Sequence, residues 1–185
     1  MTSTGQLGEL VRASAAGDEA AWEAIVARFS GLVWATARAH RLAHADAADV
    51  VQTTWLRLVE HLDRIRDPER LGAWLATTAR HESLRVIRIG GREQPTDEPE
   101  LFEAPTDDAI DALLLEPERD GALWRAFSKL SERCRSLLRL LVSDQEPSYE
   151  EVGAALGMPI GAIGPTRSRC LDRLRQSAEL AEFEA

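Results

Sequence analysis

The sequence predicts an all-α protein with two small helical domains joined by a flexible acidic linker. The 185-residue chain is dominated by Ala, Leu, Arg and Glu, contains one Tyr, and shows no alternating apolar run bounded by hairpin turns. Apolar residues make up 44% of it, which is enough for real cores. One acidic, proline-containing stretch divides the chain, and we therefore predict two domains rather than one.

The first predicted domain covers residues 1–89. Gly17 ends the first helix, and Asp18 can cap the second. Asp67 and Pro68 supply an N-cap and a proline at the first position of the last helix. The helical pattern covers residues 7–16, 18–29, 32–40, 46–62 and 68–88.

The linker, residues 90–121, carries the whole net charge of the chain. It holds 11 acidic and 2 basic residues, whereas residues 1–89 hold 11 of each and residues 122–185 hold 9 of each. Such a segment buries too little apolar surface to offset the entropy of ordering, and we expect it to be extended. A short helix over residues 110–115 is the exception we allow.

The second predicted domain, residues 122–185, contains a helix-turn-helix. Ser148 and Glu151 form an S-x-x-E capping box at the start of one helix, and Gly157 follows that helix. A second helix then begins with an apolar stripe that includes Ile160 and Ile163. This arrangement is typical of a helix-turn-helix.

Several classes of site have no support in the sequence. Cys134 and Cys170 are too few for a disulfide scaffold, and we expect them to be small core residues. His40 and His44 lack a recognisable third metal ligand, and we expect no cofactor. No P-loop, nucleophile elbow or HExxH motif is present, so we expect no enzyme. Without a signal peptide or a run of about 18 apolar residues, we expect a cytoplasmic protein with no membrane insertion.

Two helix faces are candidates for nucleic-acid contacts. In the last helix of the first domain, Thr77, His81, Arg85 and Arg88 share one stripe that could contact single strands or backbone. In residues 160–175, the face opposite the apolar stripe carries Pro165, Ser168, Arg169 and Asp172, flanked by Arg173. A helical wheel places Arg167 inside the apolar stripe. Taken alone, either face could equally be an ordinary solvated surface.

Three stretches together carry a family resemblance. The stretches DAADVVQTTWLR (46–57) and AWLATTARH (73–81) resemble region two of extracytoplasmic-function sigma factors of the sigma-70 family. The helix-turn-helix at 148–175 resembles their region four. Both regions stand in the family's order, joined by a linker of the expected character.

The resemblance implies specific roles for residues of the first domain. The helix over 46–62 would dock on the clamp helices of RNA polymerase through Asp49, Gln52 and Arg57. The minus-ten promoter element would be opened and read by Trp74, Thr77, His81, Arg85 and Arg88. His81 stands where many relatives have an asparagine, and imidazole can still stack or hydrogen-bond there.

In the second domain, the resemblance implies reading of the minus-thirty-five element as duplex. The implied contacts are Pro165, Thr166, Arg167, Ser168, Arg169 and Arg173. Gly164 and Pro165 replace the usual polar pair, and proline suits a first helical turn, so we expect this helix to begin later than in relatives.

The implied function is that of a sigma factor, which directs core bacterial RNA polymerase to specific promoters and helps to open the minus-ten element. Its implied partners are core polymerase and promoter DNA, and an anti-sigma factor is a candidate third partner. Two alternatives remain open. A stand-alone helix-turn-helix regulator would bind a duplex operator without polymerase. An interaction adaptor would bind polymerase without reading DNA.

Overall fold

The structure, a computed structural model, describes residues 4–93, 117–143 and 146–181. Within these residues it contains helices and no strands, as the sequence predicts. The α-helices are α1 (Thr4–Ala15), α2 (Glu19–Ala39), α3 (His44–His61), α4 (Leu71–Glu93), α5 (Pro117–Ser128), α6 (Glu132–Leu141), α7 (Tyr149–Leu156), α8 (Ile160–Arg175) and α9 (Ala178–Ala181).

Helices α1–α4 form the first helical unit. Gly17 ends α1 with a φ of 91°, and the Asp18 side chain accepts a hydrogen bond of 3.0 Å from the Ala21 amide. The expected break between residues 29 and 32 is absent, because Gly31 lies within a continuous 21-residue α2. Packing decides this, since Phe29 and Leu32 are both buried in the core of the unit.

Helix α4 differs from its prediction at both ends. Pro68–Arg70 forms a 3₁₀ turn before α4, and the Asp67 side chain makes no capping hydrogen bond. At the other end, α4 continues through Gly90 to Glu93. Because α5 begins at Pro117, the helices cover both ends of the predicted linker. Residues 94–116, including the short helix expected at 110–115, lie outside the described residues.

Helices α5–α9 form the second helical unit, and α7 and α8 are its helix-turn-helix. The capping box is present: Ser148 N donates to Glu151 Oε2 at 2.7 Å, and Glu151 N donates to Ser148 Oγ at 3.3 Å. Gly157 forms the turn in the left-handed region, with a φ of 63°. The expected late start of α8 is wrong, because α8 begins at Ile160 and Pro165 lies inside it.

The two units pack against each other, in what we call the closed arrangement. Helix α4 lies along α7, and α2 contacts α6. Leu137 and Leu140 of α6 join Ile25 and Leu75 of the first unit in one continuous core. The sequence predicts two units but gives no indication of this shared core.

Polar contacts connect the same surfaces. Arg70 and Glu150 form an ion pair of 2.7 Å, and Ser136 Oγ donates to the Ala39 carbonyl at 3.1 Å. His40 Nε2 lies 3.2 Å from the Ala155 carbonyl oxygen. The closed arrangement therefore combines apolar burial with hydrogen bonds between the units.

Cys134 and Cys170 are buried, as expected for core residues, but they are also bonded to each other. They form a disulfide between α6 and α8 with their Cα atoms 5.5 Å apart. The sequence argument correctly excluded a scaffold of several disulfides, but it missed this single bond. None of the described helices is long and apolar enough to cross a membrane.

Candidate nucleic-acid interface

The minus-ten stripe, which we define as Trp74, Thr77, His81, Arg85 and Arg88, lies on one face of α4. His81, Arg85 and Arg88 are exposed, whereas Trp74 and Thr77 are half-buried. Gly72 lies against α7, and a residue nine positions further along a helix points in the opposite direction. His81 and its neighbours in the stripe therefore face away from the second unit.

One acidic side chain connects this stripe to α3. The Glu82 carboxylate pairs with Arg57 at 2.8 Å and with Arg85 at 3.4 Å, and it is only 12% exposed. Arg57 was expected to be a polymerase contact, but here it is half-buried and packs between α3 and α4. Its position in the structure is that of a link between the two helices.

The other candidate docking residues of α3 are exposed. Asp49 and Gln52 lie on the surface. Leu56 and Val59, which are 57% and 54% exposed, share their side of the helix at helical spacing. The sequence argument missed these two apolar residues, although both fall outside the core stripe of Val50, Thr54 and Leu58 and could have been recognised on that ground.

The candidate minus-thirty-five residues of α8 divide into exposed and buried positions. Pro165, Ser168, Arg169 and Arg173 are exposed. Arg167 is exposed as well, contrary to the helical wheel, and its Nη1 lies 3.4 Å from the Tyr149 hydroxyl. Ile163 and Cys170 anchor the opposite side of the helix at full burial.

Thr166 is the buried member of the predicted set. It is only 9% exposed and lies on the inner side of α8, so its side chain does not face the surface that a duplex would meet. Its Oγ1 accepts a hydrogen bond of 3.3 Å from Arg169 Nη2. The Arg169 Nε donates to the Pro165 carbonyl, also at 3.3 Å. Thr166 and Pro165 thus hold the Arg169 side chain along its own helix.

The two histidines considered as ligands have other contacts. His40 lies between the units, and burial lowers its pKa, because loss of water disfavours the imidazolium. The His44 ring packs edge-on against Trp34, with ring centroids 5.2 Å apart. Among the described residues, no group of three His, Cys, Asp or Glu side chains could hold a metal ion.

Comparisons with known proteins agree with the arrangement of α2–α4. Residues 25–93 match the family model described as Sigma-70 region 2. The chain is 32% identical over 144 residues to the RNA polymerase sigma-E factor of Streptomyces avermitilis, covering 76% of this chain and 75% of that protein. It is 29% identical over 167 residues to the ECF RNA polymerase sigma factor RpoE of Cereibacter sphaeroides, covering 86% and 87%.

Two solved structures share the fold. The structure of CnrH in complex with the cytosolic domain of CnrY matches with a TM-score of 0.58 and 21% identity, over 95% of this chain and 97% of that one. The sigma factor RpoE of Bartonella quintana, solved with the anti-sigma factor NepR, matches with a TM-score of 0.55 and 23% identity, over 89% and 98%. Matches of this extent include both helical units.

Proposed function

The chain belongs to the extracytoplasmic-function group of sigma-70 RNA polymerase sigma factors, and on this basis we propose how its two helical units divide the work of promoter recognition. As a sigma factor, it directs core RNA polymerase to specific promoters and takes part in opening the minus-ten element. In our proposal the first unit docks on polymerase and reads the opened strand. The second unit reads the minus-thirty-five duplex.

One observation carries this proposal. Residues 25–93, which match region 2, contain an exposed face of polar and apolar residues on α3. They also contain the minus-ten stripe on α4. We assign the α3 face of Asp49, Gln52, Leu56 and Val59 to the polymerase clamp. An apolar centre with a polar rim is the usual composition of a protein interface. The stripe on α4 is left free for DNA.

The minus-ten stripe has the chemistry that unstacked bases need. Imidazole and guanidinium groups can stack on bases, and Arg85 and Arg88 can neutralise phosphates. Capture of unstacked bases offsets the cost of opening, which is about a few kcal/mol per base. We propose that the chain performs no covalent chemistry, that polymerase performs all catalysis, and that the protein acts in the cytoplasm, where polymerase and DNA are.

For the second unit, we propose direct reading of the duplex by α8. The exposed Arg167, Arg169 and Arg173 can reach phosphates or guanine edges, and Ser168 can bond to either. We exclude Thr166 from this surface because of its burial. We expect Arg169 to leave its contacts with Pro165 and Thr166 when DNA binds.

In the closed arrangement the protein is too short to contact the minus-ten and minus-thirty-five promoter elements at the same time. Their centres are about 25 base pairs apart, or roughly 85 Å at about 3.4 Å per base pair. A compact chain of this length has a radius of gyration of about 16 Å and thus a diameter of roughly 40 Å. We therefore propose that the closed arrangement is the polymerase-free form, and that the units separate in the promoter complex.

The test is reconstitution with core bacterial RNA polymerase and run-off transcription from a fragmented genomic library. Discrete transcripts that depend on the chain would support the proposal and identify the promoter sequence. Stable polymerase binding without transcripts would instead indicate an adaptor. Tight binding to a duplex operator without polymerase would indicate a stand-alone regulator, since residues 122–185 have a balanced charge and should bind free DNA weakly.

A further inference from the structure

The second helical unit has two separate apolar faces. One face belongs to the core that it shares with α1–α4, through Leu137, Leu140, Val152, Ala155, Met158 and Ile163. The other is a small cluster that lies wholly within the second unit and contains Leu130, Cys134, Leu138 and Cys170. Phe127, Leu171 and Leu174 pack against that cluster. The Cys134–Cys170 disulfide is at its centre.

Separation of the units affects these two faces differently. When α4 leaves α7, the shared core is divided and its residues from α6–α8 lose their partners. The cluster around the disulfide keeps all of its members, because each of them comes from the second unit. In the promoter-bound form, this cluster therefore remains to hold α8 against α6.

The disulfide is directly behind the surface that we assign to DNA. Cys170 is on α8 and fully buried, between the exposed residues Arg169 and Arg173 and on the opposite side of the helix from Ser168. Cys134, which is 4% exposed, connects it to α6 across 36 residues of chain. A bond at this position restricts how α8 can move or fray.

We propose that Cys134 and Cys170 are a thiol–disulfide switch that makes promoter recognition by α8 sensitive to oxidation. Disulfides are rare in the cytoplasm, and the cysteine pairs that do form them there are usually catalytic or redox-sensing. Both cysteines are buried in an apolar cluster, where no substrate could reach them without local opening. The inference rests on the proposed role of α8, and it adds that the oxidised pair keeps α8 ordered once the units separate.

The chemistry requires an external oxidant, and we take this to be the disulfide of a low-molecular-weight thiol. One cysteine thiolate attacks the oxidant, forms a mixed disulfide and releases one thiolate of the small thiol. The other cysteine thiolate then attacks the protein sulfur of the mixed disulfide and releases the second. The two protein thiols together lose two electrons and two protons, and the small disulfide takes these up to become two small thiols. Because both sulfurs are buried, exchange requires local opening of the cluster.

The experiment uses the full chain in complex with core polymerase, equilibrated in buffers of graded oxidised-to-reduced glutathione ratio. Alkylation and mass spectrometry count the free thiols, and amide hydrogen exchange of peptides from α8 reports its order. Run-off transcription from one promoter is measured in the same buffers. The Cys134→Ala/Cys170→Ala double variant is the matched control, since it also corrects for redox effects on the cysteines of polymerase.

We expect the pair to oxidise within this range of buffers. Hydrogen exchange in α8 should be at least tenfold slower in the oxidised protein, and transcription several-fold higher. In the double variant, hydrogen exchange in α8 should be the same across the whole series of buffers. Free thiols in every buffer, or equal hydrogen exchange in both states, would overturn the switch. Failure of the proposed function would look different, because transcripts would then be missing in every buffer while hydrogen exchange still reports on the switch.

Discussion

Gly72 of α4 lies directly beneath the Glu151 side chain of α7. A Cβ atom at position 72 would come within 2.8 Å of Glu151 Cδ and 3.0 Å of Phe29 Cε1. Moving the Glu151 carboxylate aside would disturb the capping box, in which Glu151 Oε2 accepts the 2.7 Å hydrogen bond from Ser148 N. A side chain at position 72 would therefore crowd the contact between α4 and α7.

Gly72→Ala should destabilise the closed arrangement. Overpacking at a well-packed contact costs about 1–3 kcal/mol, so we expect a larger radius of gyration in small-angle scattering and a lower free energy of unfolding. Gly90→Ala on the same helix is the control. A Cβ there would meet nothing within 4 Å, and alanine should stabilise the helix by about 0.5–1 kcal/mol. Equal effects of the two substitutions would contradict the role of Gly72.

The docking face of α3 should contribute to polymerase affinity without contributing to the fold. For Asp49→Asn/Gln52→Ala we expect weaker binding to core polymerase, and a free energy of unfolding changed by less than about 0.5 kcal/mol because both side chains are exposed. Binding is measured by titration of labelled sigma factor with core enzyme, and unfolding by urea. Unchanged affinity would remove these residues from the interface.

Leu56→Ala and Leu58→Ala separate binding from stability on the same helix. Leu56 is 57% exposed and Leu58 is fully buried. Loss of Leu58 should cost about 2–5 kcal/mol of unfolding free energy, because it leaves a cavity in the core. Loss of Leu56 should leave stability nearly unchanged and weaken polymerase binding instead. The opposite pattern would show that the exposed leucine is not part of the docking face.

On α8, Arg169→Ala should weaken promoter use by about 1–3 kcal/mol if Arg169 makes a bidentate base contact. Transcription from promoter variants altered in the minus-thirty-five element measures both the loss and any relaxed preference. Arg175→Ala is the matched control, since Arg175 is an exposed arginine of the same helix outside the candidate set and should leave the base preference unchanged. Loss of preference in the Arg175 variant alone would reverse the assignment.

The sequence predicts the local features of this protein better than its long-range ones. The cap at Asp18, the Ser148–Glu151 capping box and the turn at Gly157 depend on residues a few positions apart, and all three are present. The Arg57–Glu82 pair, the buried Thr166 side chain and the Cys134–Cys170 bond depend on how helices pack. A helical wheel cannot supply that packing, and for the same reason it misplaced Arg167.

The contact between the units could not be predicted for a related reason. Gly72 in α4 and Gly153 in α7 look like unremarkable helical glycines in the sequence. In the structure, a Cβ at Gly153 would come within 2.9 Å of the Met158 carbonyl oxygen, so this glycine permits the tight turn into α8. Gly153 therefore serves a local turn, whereas Gly72 is explained by Glu151, a residue that only the folded chain brings close.

The closed arrangement should also depend on pH through His40. Its pKa is lowered chiefly by burial, and further by Arg80, while the hydrogen bond to the Ala155 carbonyl and the charge of Glu132 act in the other direction. Separation of the units returns the imidazole to water and to its ordinary pKa of 6.5. The open form therefore binds the proton more tightly than the closed form does. The stabilisation by neutral His40 is complete above pH 6.5, and it is lost as the pH falls from 6.5 through the lower pKa of the closed form.

Small-angle scattering between about pH 7.5 and 5.5 would measure this effect, and we expect the radius of gyration to increase at the lower pH because His40 is a titrating group in that range. His40→Gln keeps a hydrogen-bond donor for the Ala155 carbonyl but removes the titration, so its profile should be flat. Glu132→Gln removes a nearby charge that favours the imidazolium in the closed form, so protonation should disfavour that form more strongly and opening should be more extensive at the lower pH. An identical pH profile for the wild type and His40→Gln would assign the opening to other groups, because the two proteins differ only in whether residue 40 can take up a proton.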